Sequence, residues 1–437
     1  MLPSVLIVDD GFAMGKAAEL LLRDIRAHGY YAYYVTDREL KAYVFDQKDL
    51  PFAGDVRVII LVGYEDAQLL QALDRHQSHG WRVHVHVLDR TRAATDTASS
   101  AYEEMRSDML AFVEKVIPEK TFSTESYASY LLTAIQRQAP EGQALVALSG
   151  GVDSTVAALL VHRALPGRLK AVFVDHGFMR AGEGDAVVKT LRETLGLDVT
   201  HIDARERFLE ALKGVDDPEA KRKIIGEQFI RVFEDVAKGF PDVRYLVQGT
   251  ILPDVIESAQ GERGVAVKSH HNVGGLPATF NFMLLEPLRQ LYKDDVRALG
   301  TWLGLPEMLT NRQPFPGPGL AVRLLGAITP DKLEMLRAAD AIVREEIEKR
   351  GLHASIWQYF AVLLPTRSVG TGLKGRSYGH TVAVRAVHST TGTSAEVAML
   401  PWDVLLHISK RITEEVPGVG RVVYDVTGKP PGTIEWE

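Results

Sequence analysis

Six consecutive residues, SGGVDS at positions 149–154, carry the groups best suited to chemistry in this sequence. The two glycines let backbone N–H groups turn towards one anion, and the hydroxyls of Ser149 and Ser154 can donate to phosphate oxygens. Asp153 fits either as an N-terminal helix cap or as a ligand of the Mg²⁺ that accompanies a polyphosphate. No lysine follows the glycines, so the motif that serves γ-phosphate transfer is absent. The stretch predicts a phosphate site of another kind.

The residues around this loop predict a strand before it and a helix after it. An apolar run ends at about Leu148, and a helical pattern begins at about Asp153. A loop in that place receives the positive end of the helix dipole, which favours a bound anion. Further strands at 169–177 and 245–250 and a helix at 293–304 predict a parallel sheet covered by helices.

Polar and glycine-rich stretches elsewhere contain the remaining candidate residues. VFVDHGFMRAGE at 172–183 follows a predicted strand, and strand ends of this kind face the nucleotide in doubly wound sheets. The basic run Lys221, Arg222 and Lys223 is, by itself, typical of a solvated face. The adjacent histidines of KSHHNVGGLP at 268–277 suit no common metal geometry, so no metal site is predicted there.

Together these stretches closely resemble the GMP synthetase family. The loop resembles the pyrophosphate-binding loop of the N-type ATP pyrophosphatases, and the similarity continues from about residue 127 through QGTILPDVIES, PFPGPGLAVRLLG and VVYDVTGKPPGTIEWE. The resemblance implies that ATP adenylates the C2 oxygen of xanthosine monophosphate (XMP) and that pyrophosphate leaves. Ammonia then displaces AMP and gives GMP. The resemblance also implies Mg²⁺ and a homodimer.

The same resemblance implies roles for individual residues. Mg²⁺ is expected on Asp153. The residues expected to hold pyrophosphate and the rest of ATP are Ser149, Gly150, Gly151, Val152, Asp153, Ser154, Val174, Gln248 and Gly249. The residues expected to contact XMP or a related purine nucleotide are Arg180, Lys429, Ile434 and Glu435. Lys223 is expected in a lid over the site. The residues expected near the reacting groups are Asp254, Lys268 and His270.

The predicted elements divide the chain into three sections, and the fold class is α/β. Residues 1–118 are predicted as a small α/β domain, 119–320 as a doubly wound parallel-sheet ATP pyrophosphatase domain, and 321–437 as an α+β dimerisation domain. A polar, proline-containing link at 117–126 marks the first boundary, and the composition changes after PFPGPG at 314–319.

The first section differs from the glutamine amidotransferase domain with which most bacterial members of the resembled family begin. It is shorter, and the chain contains no cysteine, so it has no thiolate to form the thioester that amide hydrolysis requires. We interpret it as a degenerate or shortened relative of that domain, or as an unrelated α/β module. Glutaminase activity is expected to be absent, with ammonia taken free or from a separate glutaminase. Asp9 and Asp10 are typical of a solvated strand end.

Composition narrows the class of protein further. The 437 residues carry a net charge of −7, which argues against nucleic acid and anionic membranes as partners. No apolar run reaches the roughly 18 to 20 residues that span a bilayer, and the N-terminus lacks the basic region of a signal peptide. A cytoplasmic location is therefore expected. The absence of cysteine excludes disulfides and thiolate metal sites within these residues.

Two other functions stay open at this point. Residues Gly372–Lys374 read Gly-Leu-Lys where the resembled family usually has Met-Gly-Asp, which replaces an acidic group with a cation. The chain could therefore adenylate a different purine-type acceptor, or use a different amine, in specialised metabolism. A non-catalytic nucleotide-binding regulator is the other alternative, although a dead site has no need to keep Asp153.

Overall fold

Three sheets follow one another along the part of the chain that the structure describes. The computed structural model describes residues 3–9, 15–45, 55–62, 66–78, 83–88, 100–261, 282–310, 313–372, 375–389, 392 and 394–437. Within these ranges, no helix is both long enough and apolar enough to cross a bilayer. The α/β fold class predicted from the sequence is confirmed.

The first sheet is parallel, with strand order β2-β1-β3-β4. Its strands are β1 Pro3–Asp9, β2 Tyr31–Val35, β3 Asp55–Val62 and β4 His84–Leu88. Its helices are α1 Gly15–Ala27, α2 Asp37–Phe45, α3 Ala67–Ser78 and α4 Ser100–Val116. The sequence patterns did not predict β2. All five of its residues are buried, so it lacks the apolar and polar alternation that marks a half-exposed strand.

The second sheet is also parallel, with strand order β7-β6-β5-β8-β9, as predicted for a doubly wound fold. Its strands are β5 Gln143–Leu148, β6 Leu169–Asp175, β7 Val199–Asp203, β8 Val243–Val247 and β9 Met283–Leu285. The chain leaves the central strand β5 in one direction to β6 and β7, and then returns to its other side as β8. Ligands bind in such sheets at the carboxyl ends of the strands, where the order reverses. That point lies between β5 and β8.

Helices cover both faces of this second sheet. Their bounds are α5 Thr124–Gln138, α6 Val152–Ala164, α7 Glu183–Lys189, α8 Arg205–Ala211, α9 Pro218–Ala237, α10 Leu252–Gly261, α11 Lys293–Trp302 and α12 Glu307–Thr310. A π-helical turn at Thr190–Thr194 continues α7, and a 3-10 turn lies at Gly319–Val322.

The third sheet is mixed and belongs to the C-terminal section. Strands β10 Gln358–Gly372 and β11 Gly375–His388 are antiparallel, and β13 Val419–Tyr424 is parallel to β11. The short strand β12 is Glu396–Val397, a 3-10 turn lies at Leu352–Ala354, and the helices are α13 Pro330–Lys349 and α14 Trp402–Glu415. The predicted α+β character is confirmed, although β10 was not predicted. The domain boundaries proposed at 118/119 and 320/321 remain predictions.

Candidate functional site

The loop between β5 and α6 is arranged as an anion site. Gly150 has φ of +74°, a left-handed conformation that glycine adopts without steric cost. Gly151 is the N-cap of α6, and its position provides no side chain to bond the first-turn N–H groups, which therefore stay available to a ligand. The Ser149 and Ser154 hydroxyl oxygens are 3.1 Å apart, and the Gly151 N–H donates to Ser149 Oγ at 3.2 Å. The interpretation of Asp153 as the helix cap is wrong, because it lies inside the first turn.

Asp153 instead forms an ion pair with a lysine that the sequence patterns did not single out. Lys293 Nζ lies 2.5 Å from Asp153 Oδ2, with the two side chains 42% and 28% exposed. Asp153 Oδ1 is buried and has no hydrogen-bond partner among the described residues. Lys293 is the first residue of α11, where the helix dipole disfavours a cation. That unfavourable placement was the signal in the sequence that could have indicated a functional lysine.

Gly249 approaches the phosphate loop from β8. A Cβ at this position would lie 3.0 Å from Asp153 C and 3.0 Å from Ser154 N, closer than side chains normally approach backbone. The N–H of Gln248 donates to Leu285 O at 3.0 Å, which fixes the end of β8 against β9. The predicted neighbours Gly249 and Asp153 therefore meet where the strand order reverses, and only glycine fits there without a shift of the backbone.

Two of the residues predicted in the lid or near the reacting groups lie on the helices α9 and α10. Asp254 lies in the first turn of α10, where its Oδ2 accepts from the Ile251 N–H at 3.0 Å. Lys223 is exposed on α9, which is compatible with its predicted place in a lid. Lys268 and His270 lie outside the described residues.

The basic run on α9 corrects one prediction. Lys221 is fully buried, so the interpretation of this run as a solvated face is wrong for that residue. Its Nζ lies 2.8 Å from Leu324 O and 2.5 Å from Glu437 Oε2. The Arg222 side chain donates to the Glu437 carbonyl oxygen. These two basic residues therefore hold the last residues of the sequence against α9.

The residue of β6 that was predicted to border the adenine is apolar and buried. Val174 in β6 is 6% exposed. Two residues on, His176 is surrounded by the rings of Phe178, Phe208 and Phe229 at centroid distances of 5.2 to 5.9 Å. Burial lowers the pKa of His176 to about 4, so its imidazole is neutral at pH 7. The Phe178 N–H donates to His176 Nδ1 at 3.1 Å, which leaves the ring proton on Nε2.

Arg180 is a buried cation with one unused donor nitrogen. It lies 3.4 Å from Asp340 and 3.6 Å from Glu183, and its guanidinium stacks 4.5 Å from the centre of the Phe315 ring. Burial lowers the pKa of Arg180 to about 10, so the group is still charged at neutral pH. Its Nε faces the Asp340 carboxylate, and one terminal nitrogen, Nη2, has no hydrogen-bond partner among the described residues. That nitrogen fits an anionic group of a ligand.

Glu435 belongs to the same cluster, to which Arg323 connects it. Its carboxylate accepts two hydrogen bonds from Arg323, at 3.0 and 2.8 Å, and one from Gln358 at 3.1 Å. Arg323 is itself fully buried and stacks 5.2 Å from the Phe315 ring centre. Two predicted XMP contacts far apart in sequence, Arg180 and Glu435, are thus brought together. Arg323 and Gln358 were not predicted.

The two other predicted XMP contacts are placed by the C-terminal segment. Ile434 is 8% exposed and packs in a small apolar cluster with Phe360. Lys429 is half-buried, and its Nζ donates to the Gly392 carbonyl oxygen at 2.8 Å. The side chains of Gly372–Lys374, where the sequence departs from the resembled family, lie outside the described residues.

Comparison with known proteins connects these features to one family. The chain is 55% identical over 316 residues, 72% of its length, to a protein named GMP synthase [glutamine-hydrolyzing] from Symbiobacterium thermophilum. It is 54% identical over 316 residues to the protein of the same name from Geobacillus kaustophilus. The matched part of the chain belongs to the GMP synthase family. This confirms the resemblance seen in the sequence.

The match to GMP synthases covers a larger share of this chain than of its relatives. The profile described as "GMP synthase C terminal domain" matches residues 345–436, which include Lys429, Ile434 and Glu435. The chain spans 61% and 62% of the length of the two relatives named above. A solved structure of NMN synthetase from Francisella tularensis is 19% identical with a TM-score of 0.36, covering 45% of this chain and 78% of its own.

Proposed function

We propose that this protein adenylates the C2 oxygen of XMP with ATP and that ammonia then displaces AMP to give GMP. The observation that carries the proposal is the uncapped SGGVDS loop at the reversal of the strand order, in a chain homologous to GMP synthases. In this reaction the acceptor oxygen attacks the α phosphorus, the bond to the β phosphate breaks, and pyrophosphate leaves. Ammonia attacks C2, and the oxygen departs with AMP.

The residues of the phosphate loop have distinct parts in this proposal. The N–H groups at the start of α6 and the hydroxyls of Ser149 and Ser154 bind the β and γ phosphates. Lys293, next to Asp153, supplies a further positive charge for the pyrophosphate that leaves. The buried end of β6 around Val174 borders the adenine. Gln248 and Gly249 close the site from β8.

One carboxylate of this site fits a magnesium ion. Mg²⁺ usually keeps several waters and takes one or two protein carboxylates together with substrate phosphates. Asp153 provides one such carboxylate, and its buried Oδ1 has no partner among the described residues. Among the described residues, no three acidic or histidine side chains are placed to hold a metal ion together, so the proposed ion would be held mainly by phosphate. When bound, Mg²⁺ would neutralise charge on the phosphates.

The cluster around Phe315 is the proposed acceptor site. Arg180 has one unpaired terminal nitrogen, Nη2, for the XMP phosphate, and the Glu435 carboxylate can accept from ring N–H groups. Lys429 and Ile434 lie in the same C-terminal segment as Glu435. Lys223, Asp254, Lys268 and His270 keep their proposed places in the lid and near the reacting groups.

The absence of cysteine supports a proposal about the nitrogen source. None of its 437 residues is a cysteine, so these residues cannot form a thioester with glutamine. We propose that ammonia is taken free or from a separate glutaminase. We expect the purified chain, given ATP, Mg²⁺ and XMP, to produce AMP and GMP with ammonium but not with glutamine.

Chromatographic measurement of AMP and GMP tests this proposal directly. GMP formed equally well from glutamine would overturn the proposed nitrogen source. AMP formed only with another acceptor or amine would favour a paralogue with changed specificity. ATP binding without turnover, whatever the acceptor, would favour a regulatory protein.

The C-terminal section also supports a proposed homodimer. Met399, Trp402, Val426, Tyr378 and Leu406 are exposed by 87%, 73%, 70%, 64% and 55%. Trp402 and Leu406 are four residues apart on α14 and therefore share a face. All five belong to the C-terminal section, and exposed large apolar groups that share a face indicate an interaction surface.

Sedimentation velocity of the intact chain tests this dimer. We expect a dimer at micromolar concentration and a shift to monomer in Trp402→Glu, since a charge at the centre of an apolar interface is costly. Lys189→Glu is the control, because it adds a negative charge at an exposed residue on α7. Leu70→Glu would not serve, because Leu70 is partly buried. A monomeric unaltered chain, or a Trp402→Glu variant that stays dimeric, would contradict the proposed surface.

A further inference from the structure

The segment 286–295 joins β9 to α11 and includes the first three residues of that helix. It connects the first sheet to the phosphate loop. We call it the connector. Gln290 of the connector is 3% exposed. Its side chain forms hydrogen bonds with both backbone polar groups of one residue in the edge strand β2. Gln290 Oε1 accepts from the Tyr34 N–H at 2.9 Å, and Gln290 Nε2 donates to Tyr34 O at 2.9 Å. A buried amide satisfied in this way fixes the register between connector and strand.

Charged residues of the N-terminal section, residues 1–118, hold the connector on both sides of Gln290. Arg26, which is 6% exposed, donates to Gln290 O at 2.8 Å and lies 3.3 Å from Asp295. Arg289 pairs with Glu39 at 2.7 Å. Both the main chain and the side chains of the connector are therefore bonded to the N-terminal section.

Apolar packing reinforces these bonds. Tyr292 is 4% exposed and belongs to the buried cluster of α1, with the Arg23 guanidinium 4.4 Å from its ring centre. Leu252, the first residue of α10, is fully buried in the same cluster, and its N–H donates to Leu291 O at 2.9 Å. The N-terminal section thus packs against the connector and against the helix that carries Asp254.

The other end of the connector reaches the phosphate loop. Lys293 follows Gln290 by three residues and pairs with Asp153 at 2.5 Å. We propose that the N-terminal section is a positioning element of the phosphate site: it sets the register of the connector through Gln290 and thereby holds Lys293 towards the phosphate loop. The proposal rests on the assignment of that loop in the proposed function, and it makes Gln290 a positioning residue.

Binding of inorganic pyrophosphate to the full chain, measured by calorimetry without XMP, tests this proposal. We expect Gln290→Ala to weaken binding about tenfold, the loss that follows when one charge-assisted contact is misplaced. Lys293→Met is expected to weaken it by at least as much. In the double variant, Gln290→Ala should add nothing to the loss from Lys293→Met, because the two act through the same contact.

Matched variants separate positioning from general destabilisation. Arg106→Met removes an ion pair with Asp24 inside the N-terminal section and should leave pyrophosphate binding unchanged. If Gln290→Ala does not fold, Arg289→Met provides a milder loosening of the connector, since Arg289 is partly exposed. Unchanged affinity for pyrophosphate in the connector variant that folds would overturn the positioning role. Additive losses in the double variant would do the same, and neither result would overturn the assigned phosphate site. Failure of the unaltered chain to bind pyrophosphate would overturn both this role and the assigned phosphate site.

Discussion

Asp153→Asn is expected to lower the rate of adenylation by about a hundred- to a thousandfold, the size of the loss when one preorganised electrostatic contact is removed from other active sites. The substitution keeps the shape of the side chain but removes the charge that would hold Mg²⁺ and that pairs with Lys293. Stability should change little. Both partners are partly exposed, and ion pairs of that kind contribute roughly 1 kcal/mol or less.

The measurement is AMP formation from ATP and XMP, with thermal unfolding measured in parallel. Asp203→Asn is the matched control, because Asp203 ends strand β7 of the same sheet but is paired with Arg205 at the surface. The control should keep its rate. A normal rate in Asp153→Asn would show that the Asp153 carboxylate has no part in adenylation, and a large loss of stability would show that the pair with Lys293 is structural.

Local features of this site were predictable from the sequence, since each depends on neighbours along the chain. The end of β5 at Leu148 agrees with the prediction, and α6 begins at Val152, one residue from the predicted start. Glycines that allow a left-handed turn and a change from a buried run to helical spacing both appear in a few consecutive letters. The parallel second sheet follows from the same local alternation of strands and helices.

Partner choice across the fold was not predictable. Lys293 and Asp153 are 140 positions apart, and Arg323 and Glu435 are 112 apart. Nothing near any of these residues in the sequence identifies its partner, because packing of the sheets decides which side chains meet. Lys221 illustrates the point: its place in a basic run suggests exposure, but α9 turns it towards Glu437 and away from solvent.

Arg323→Met should lower the free energy of unfolding by about 3 kcal/mol, near the lower end of the range for breaking a buried ion pair. The side chain of Arg323 is fully buried and makes two hydrogen bonds to Glu435, whose carboxylate is only 18% exposed. Methionine fills much of the same space beside Phe360 but provides no donor. Glu435 would keep its bond from Gln358 and lose its counter-charge.

Denaturant unfolding of the single and double variants checks this prediction. In Arg323→Met/Glu435→Gln both charges are gone, so the double variant should be more stable than the sum of the two single losses implies. Losses that simply add would contradict an energetic coupling between the two residues. The same variants probe the acceptor site: Glu435→Gln, which can still bond Gln358, should weaken XMP binding even where the fold is intact. XMP binding that follows only the loss of stability would instead make Glu435 a structural partner of Arg323.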